Sequence, residues 1–248
     1  MRMQKKKKEL GLVGLGSFGQ FMIPHLRPYF NISAYNRSDK SEVAKELGVP
    51  YVDLETAASK DVVILCVPVQ FLEEVLIKVK DVIQPKAMVV DVSSVKVKPL
   101  QLLRKYLASD VEIIGTHPLF GPQSGKNGIE GLNFVLCPEK TRLTETLYRF
   151  FSQELKLNVL VRTPEVHDKQ MAYVQALTHF VGRAVNEMDI PDVEQKTQAY
   201  QYLLNLKQML GRDSMDLFYT IENENPYAKD VREHFMRELQ GLHSILES

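Results

Sequence analysis

The sequence has only two cysteines, no net charge and no apolar run long enough to cross a membrane. Cys66 and Cys137 lie inside the apolar stretches "VVILCVP" and "FVLCP", which suits buried reduced thiols in a reducing compartment better than a disulfide framework or a zinc site. The 31 basic and 31 acidic side chains cancel, so there is no electrostatic case for nucleic acid or an anionic membrane as the main partner. The one basic run, Lys5 to Lys8, precedes the first apolar residues and reads as a solvated tail. A lysine-rich start followed directly by a glycine motif lacks the apolar core of a signal peptide, and the expected location is cytoplasmic. Internal repeats, low-complexity segments and metal-ligand motifs are also missing. What remains is a chain of 248 residues, 44% hydrophobic, able to bury the core of one large domain or two modest ones.

From residue 10 to about 161, short apolar runs alternate with longer helical patterns. The predicted strands are "LGLVG" (10–14), "ISAY" (32–35), "DVVILCV" (61–67), "AMVVDV" (87–92), "VEIIG" (111–115), "NFVLC" (133–137) and "LNVLV" (157–161). Helices are predicted over 18–26, 38–47, 70–82, 97–107 and 142–155. Strands apolar on both faces and joined by helices predict an α/β fold with a Rossmann-type doubly wound, mainly parallel sheet. Ligands of such sheets bind at the carboxyl ends of the strands. From Thr163 onward no β-rich run recurs, and helices are predicted over 164–188, 192–210, 214–222 and 227–246, punctuated by Pro191, Gly211 and Pro226. The expected division is a dinucleotide-binding domain over 1–162 and an all-α domain over 163–248.

Gly14-Leu15-Gly16-Ser17-Phe18-Gly19 follows the first strand and opens a helix. In that setting the first glycine permits a tight turn, the second lets a pyrophosphate approach the backbone, and the third allows close helix packing. Gly14, Gly16, Ser17, Phe18 and Gly19 are therefore candidate cofactor contacts, joined by Cys66, Val67 and Pro68 at the end of the third strand. The bland alternative is a glycine-rich turn. An NAD site usually carries an acid after the second strand, whereas a 2'-phosphate needs cations and small donors. Here the stretch reads "AYNRSDK": Arg37 offers a charge-assisted fork, Ser38 a hydroxyl and Asn36 an amide. The expected cofactor is NADP, against which stand the acid Asp39 and a reading of Ser38 as a helix cap.

"THPLFGPQS" puts His117 after the strand "VEIIG" in a loop stiffened by Pro118 and Pro122. A cofactor that accepts hydride from an alcohol calls for a base to take the hydroxyl proton, and neutral histidine suits that near pH 7. His117 is either that base or a ring bonded to nearby backbone. "DVSSVK" brings a second polar cluster to a strand end. Ser94 there either bonds the substrate hydroxyl or caps a helix, and Lys96 either begins the next helix or meets a carboxylate. Gln123 and Ser124, in the loop after His117, are candidate substrate contacts. In the helical part His167, Met171, Gln175, His179 and Arg183 recur every four residues as a drifting stripe, which either satisfies itself in a core or faces a wet cleft.

The segments "DVSSVK" (91–96), "GTHPLFGPQS" (115–124) and "HDKQMAYVQALTHFVGR" (167–183) resemble the prephenate and arogenate dehydrogenases of tyrosine biosynthesis, the TyrA family. The resemblance implies an NAD(P)-dependent oxidative decarboxylation of a cyclohexadienol, with His117 as base, Ser94 on the substrate hydroxyl and His179 binding substrate. It also implies a homodimer formed through the helical domain. "TQAYQYLLNL" and "GRDSMDLFY" look closer to the plant-type arogenate enzymes, in which an acid at the position of Asp213 goes with preference for arogenate. Asp213 is equally placed to cap a helix after Gly211. The arginine that many bacterial relatives use to hold a substrate carboxylate has no counterpart in "KTQAYQYLLNL", leaving Lys196, Lys207 or Arg183 for that task. Two other readings remain. A β-hydroxyacid dehydrogenase or imine reductase would leave His117 dispensable, and a non-catalytic NADP-sensing regulatory protein would bind cofactor without turnover.

Overall fold

The structure is a computed structural model of the chain and describes residues 7–210 and 214–248. Asp213 and Gly211 lie outside the described residues. The chain divides into two compact units, one ending at Pro164 and one running from Glu165 to Ser248.

The first unit carries a seven-stranded sheet. In chain order it is built from β1 (Lys8–Val13), α1 (Ser17–Leu26), β2 (Phe30–Tyr35), α2 (Ser41–Glu46), α3 (Leu54–Ala58), β3 (Val62–Leu65), α4 (Val69–Val79), β4 (Met88–Asp91), α5 (Val97–Tyr106), β5 (Glu112–Pro118), β6 (Asn133–Lys140), α6 (Thr144–Arg149) and β7 (Asn158–Val161). The strands lie in the order β2-β1-β3-β4-β5-β6-β7, and every pairing is parallel except β5 with β6. Strand residues alternate between two cores. Leu10, Leu12, Ile64 and Ile114 pack under α1 and α6, while Val13, Val63, Leu65 and Ile113 pack under α3, α4 and α5. On α4 the apolar positions Val69, Leu72, Leu76 and Val79 fall on one face and are all buried, which is why this segment folds as a helix against the sheet.

Several expectations need correction: the helix expected over 38–47 begins only at Ser41, the one over 192–210 only at Gln198, the one over 142–155 is α6 followed by a π-helical segment (Phe150–Glu154), and three further differences bear on the sheet. The fifth strand does not stop at Gly115 but continues to Pro118, because β6 pairs with it as far as Phe134, so His117 sits within a strand and not in a loop. Helix α3 is not visible in the sequence pattern; it is short and starts from Asp53, whose carboxylate accepts from the Thr56 N–H at 2.6 Å. Cys137 is buried, but Cys66 is only half-buried, since β3 ends at Leu65 and the chain turns outward toward α4. Neither cysteine forms a disulfide.

The second unit contains α7 (Pro164–Met171, beginning at the unit boundary), a π-helical segment (Ala172–Leu177), α8 (Thr178–Glu187), α9 (Gln198–Leu210), α10 (Met215–Glu224) and α11 (Ala228–Leu246). Its interior is small: among the described residues Met171, Ala172, Ala176, Ile221 and Ala228 are the buried apolar ones. Helix α9 buries none of its side chains. Tyr202 and Met209 on α9, and Leu242 and Ile245 on α11, are each more than 60% exposed. Among the described residues no helix is long and apolar enough to cross a membrane, and no cluster of three or more metal-ligating side chains occurs.

Candidate active site

Because β1, β3, β4 and β5 run parallel, their carboxyl ends share one edge of the sheet. The chain passes from β1 outward to β2 and then back to β3 on the other side of β1, so the reversal of strand order falls between β1 and β3. A crevice at such a reversal is where open α/β sheets hold their ligands.

The glycine loop lies there. Gly14 has φ +107°, and a Cβ on it would come within 2.3 Å of the Cys66 carbonyl oxygen. A Cβ on Gly19 would meet the Gly14 carbonyl oxygen at 2.3 Å, so both positions tolerate only glycine. Gly16 differs: it is exposed, and no described residue lies within 4 Å of where its Cβ would be. Among the described residues no side chain caps α1, which leaves its first N–H groups to another acceptor. An uncapped helix start beside a bare glycine fits the diphosphate of a dinucleotide. Ser17 is exposed beside Gly16, and Phe18 is half-buried against the core under α1.

At the end of β2, Asn36 is committed to the protein itself. Its Oδ1 accepts from the Leu15 N–H at 2.9 Å, and its Nδ2 donates to the Ser38 carbonyl and hydroxyl oxygens at 3.0 Å. Asn36 thus ties the glycine loop to the turn that follows β2. Tyr51, which the sequence did not single out, donates to the Asn36 carbonyl at 3.0 Å and holds the same turn. Asp39 accepts from the Ser41 N–H at 2.9 Å, a bond that holds its carboxyl below the usual range and occupies it at the start of α2. Arg37 is exposed, its guanidinium 4.7 Å from the centre of the Phe71 ring. After β3 the Cys66 residue is half-buried but its thiol is enclosed, and that burial foremost and the Asp91 charge second push the thiol pKa up, so it stays protonated. Val67 is half-buried, and Pro68 is the exposed cap of α4.

His117 is buried at the next-to-last position of β5, opposite Val135 of β6. Ser94 is half-buried in the turn between β4 and α5. Beneath that turn lies a buried ion pair, Asp91 with Lys96. Ser93 donates to Asp91 Oδ1 from its N–H at 3.1 Å and its hydroxyl at 2.7 Å, and Lys96 donates to the Thr116 carbonyl oxygen at 2.7 Å. Lys96 also stands at the cap position of α5, so both of its anticipated uses occur together. In the loop beyond β5, Gln123 is exposed, and the Ser124 hydroxyl oxygen accepts from the Gly121 N–H at 3.0 Å, closing its own turn.

In the second unit the four-residue stripe grades from buried to half-buried. His167 and Met171 are buried, with His167 Nδ1 2.7 Å from Asp168 Oδ1, while Gln175, His179 and Arg183 are half-buried. His179 and Arg183 line a recess of about 10 Å³ together with Asn186 and Phe218, room for about one water. Arg183 also meets Glu187 at 3.3 Å, and Lys207 is engaged with Asp189 at 2.8 Å. Lys196 is paired with Asp192 at 2.5 Å.

A family profile described as "Prephenate dehydrogenase, nucleotide-binding domain" matches residues 26–159, more than half of the chain. Another, described as "TYRAAT1-like, C-terminal domain", matches residues 184–248. Arogenate dehydrogenase 1, chloroplastic, of Arabidopsis thaliana is 33% identical over 96% of this chain, which covers 39% of that protein. Arogenate dehydrogenase 2, chloroplastic, of the same plant is 32% identical over 91% of this chain and 66% of its own length. The chain therefore spans less than two thirds of the length of either relative. Among solved structures, prephenate dehydrogenase from A. aeolicus in complex with hydroxyphenyl propionate and NAD+ superposes with a TM-score of 0.78 at 22% identity, over 98% of this chain and 92% of that one.

Proposed function

The chain belongs to the prephenate dehydrogenase family, and from that membership we propose that it oxidatively decarboxylates a cyclohexadienol with NADP, arogenate being favoured over prephenate. The observation that carries this reading is the company His117 keeps: a buried histidine at the end of β5, on the same sheet edge as an open glycine loop and the Ser94 turn. When bound, the nicotinamide supplies the hydride acceptor. His117 takes the proton of the ring hydroxyl as the hydride leaves the carbon that bears it, and Ser94 orients that hydroxyl. The ring carboxylate departs as carbon dioxide, and aromatisation drives the step. Arogenate would give tyrosine, and prephenate would give 4-hydroxyphenylpyruvate. His179, Arg183 and Gln175 of the helical unit, Gln123 and Ser124 of the loop after β5, and Asp213 remain the proposed substrate contacts. The assignment of Asp213 to the ammonium of arogenate rests on resemblance alone.

Preference for NADP is supported by Asn36, Tyr51 and Phe71, which hold the turn and the guanidinium in place, and by Asp39 being spent on α2. For Arg37→Ala the expected result is an NADP affinity weaker by about 10- to 100-fold, the scale of lost charge-assisted bonds, with NAD affinity little changed. Equal losses for both cofactors in equilibrium titrations would refute the 2'-phosphate assignment. A cytoplasmic homodimer is the proposed state. The apolar side chains exposed on α9 and α11 support a second copy covering the helical unit, whose own core is too small to bury them.

The test of the reading is NADPH formation by purified protein with arogenate and with prephenate, each repeated with NAD. Faster turnover of arogenate supports the proposed preference, and faster turnover of prephenate reverses it. Tight NADP binding without turnover of either would remove the enzymatic reading in favour of a cofactor sensor.

A further inference from the structure

Strand β4 ends at Asp91, whose ladder partner on β5 is Gly115. Strand β5 runs on through Thr116 and His117 to Pro118, and over those three residues its strand partner among the described residues is β6 alone, through Leu136, Val135 and Phe134. The segment that carries the histidine has therefore outrun its neighbour on one side. In a buried sheet, backbone groups left there need another partner.

Lys96 supplies one. Its side chain is fully buried, and its ammonium donates at once to the Asp91 carboxylate and, at 2.7 Å, to the carbonyl oxygen of Thr116, the residue before His117. Thr116 returns a bond from its hydroxyl to the Asp91 carbonyl at 2.9 Å. The end of β4, the turn that holds Ser94, the start of α5 and the end of β5 are thereby joined at one buried point. The lysine reaches it by passing over Gly115: a Cβ there would stand 3.1 Å from Lys96 Cδ and 2.9 Å from Leu100 Cδ1. Glycine at 115 leaves the passage through which the ammonium arrives.

We propose that Lys96 is a positioning residue for His117, fixing the end of β5 through Thr116, and that Gly115 is required because it admits the lysine stem. The proposal rests on His117 being the base of the dehydrogenase reaction. A buried ion pair is weak evidence for stability, since apolar replacements of both partners are often tolerated or even stabilising. A role in holding the histidine gives the pair a different signature from one in holding the fold.

The experiment compares the natural protein with Asp91→Asn/Lys96→Met, which removes both charges and the bond to Thr116 while keeping side-chain volume. If the protein turns over arogenate or prephenate, the double variant is expected to fold and to bind NADP within about threefold of the natural protein. Its kcat is expected to fall about 100-fold, as for a reacting group displaced by an ångström, with KM changed far less. The solvent deuterium isotope effect on kcat should rise as proton transfer becomes the slow step. A folded double variant with near-normal kcat and isotope effect would overturn the proposal and leave the dehydrogenase reading intact. Gly115→Ala covers the case in which the double variant fails to fold: it removes no hydrogen-bonding group, and a kcat lowered about tenfold or more at unchanged NADP affinity is expected. Unchanged kcat in Gly115→Ala overturns the proposal by itself. No turnover by the natural protein with either substrate would remove the reaction and this role together.

Discussion

His117→Asn is expected to lower kcat by about two to four orders of magnitude while leaving NADP affinity unchanged, the scale of losing a general base. Asparagine keeps a polar side chain in the imidazole's place but has no group that takes a proton near neutral pH. The backbone at this position is held by β6 on one side, so the substitution does not release the segment into a loop. The glycines proposed to hold the cofactor belong to the β1–α1 turn and not to β5. Loss of proton abstraction should therefore separate from loss of binding. Stopped-turnover rates with the preferred cyclohexadienol, beside a fluorescence titration with NADPH, read the two quantities independently. Turnover close to that of the natural protein would remove His117 from the role of base and favour a dehydrogenase that uses another group. A parallel loss of cofactor affinity would mean that the histidine supports the fold of the crevice instead.

Much of the nucleotide-binding unit is legible in the sequence because parallel strands covered on both faces are apolar at every position, and such runs announce themselves between helical patterns. The strand ends are less so. Where β5 stops depends on Phe134 of β6, sixteen residues further along the chain, and on Lys96, and neither partner is encoded in the run "VEIIG" itself. The five residues of α3 offer too little periodicity to be seen, and its only local signal is the Asp53 cap with Thr56 three residues on. The spacing that would have disclosed the network under Ser94 and His117, Asp91 to Lys96 and on to Gly115 and Thr116, has meaning only once β4 and β5 are known to be neighbours.

The stripe of the helical unit shows another limit. Residues four apart overshoot one α-helical turn of 3.6 residues, so a stripe at that spacing drifts around a regular helix. The wider π-helical segment from Ala172 to Leu177 undershoots instead and counters the drift. A π segment leaves no mark in the residue pattern. That His167, Met171, Gln175, His179 and Arg183 all avoid full exposure, with Tyr173 and Val174 exposed between them, is visible only in the folded helix.

Gly14→Ala and Gly16→Ala should both impair cofactor binding but differ in their effect on stability, although the two residues belong to one motif. At Gly14 an alanine combines a left-handed backbone, φ +107°, with a Cβ 2.3 Å from the Cys66 carbonyl oxygen, an atom held by the end of β3. Strain and overpacking together are expected to cost about 3 kcal/mol or more in denaturant unfolding. Cofactor binding should fail with the loop. At Gly16 the backbone, φ −73° and ψ −174°, suits any residue, and the Cβ enters open space. Unfolding stability should therefore be unchanged or raised by up to about 1 kcal/mol, because alanine narrows the unfolded ensemble. Yet that open space is where a diphosphate would approach the uncapped start of α1, and a methyl group there is expected to weaken NADP binding by about 10- to 100-fold. A Gly16→Ala protein that is fully stable but blind to cofactor would identify the gap as the diphosphate's seat. One that binds NADP like the natural protein would move the dinucleotide away from the loop, and with it the reason for His117 to stand at this edge of the sheet.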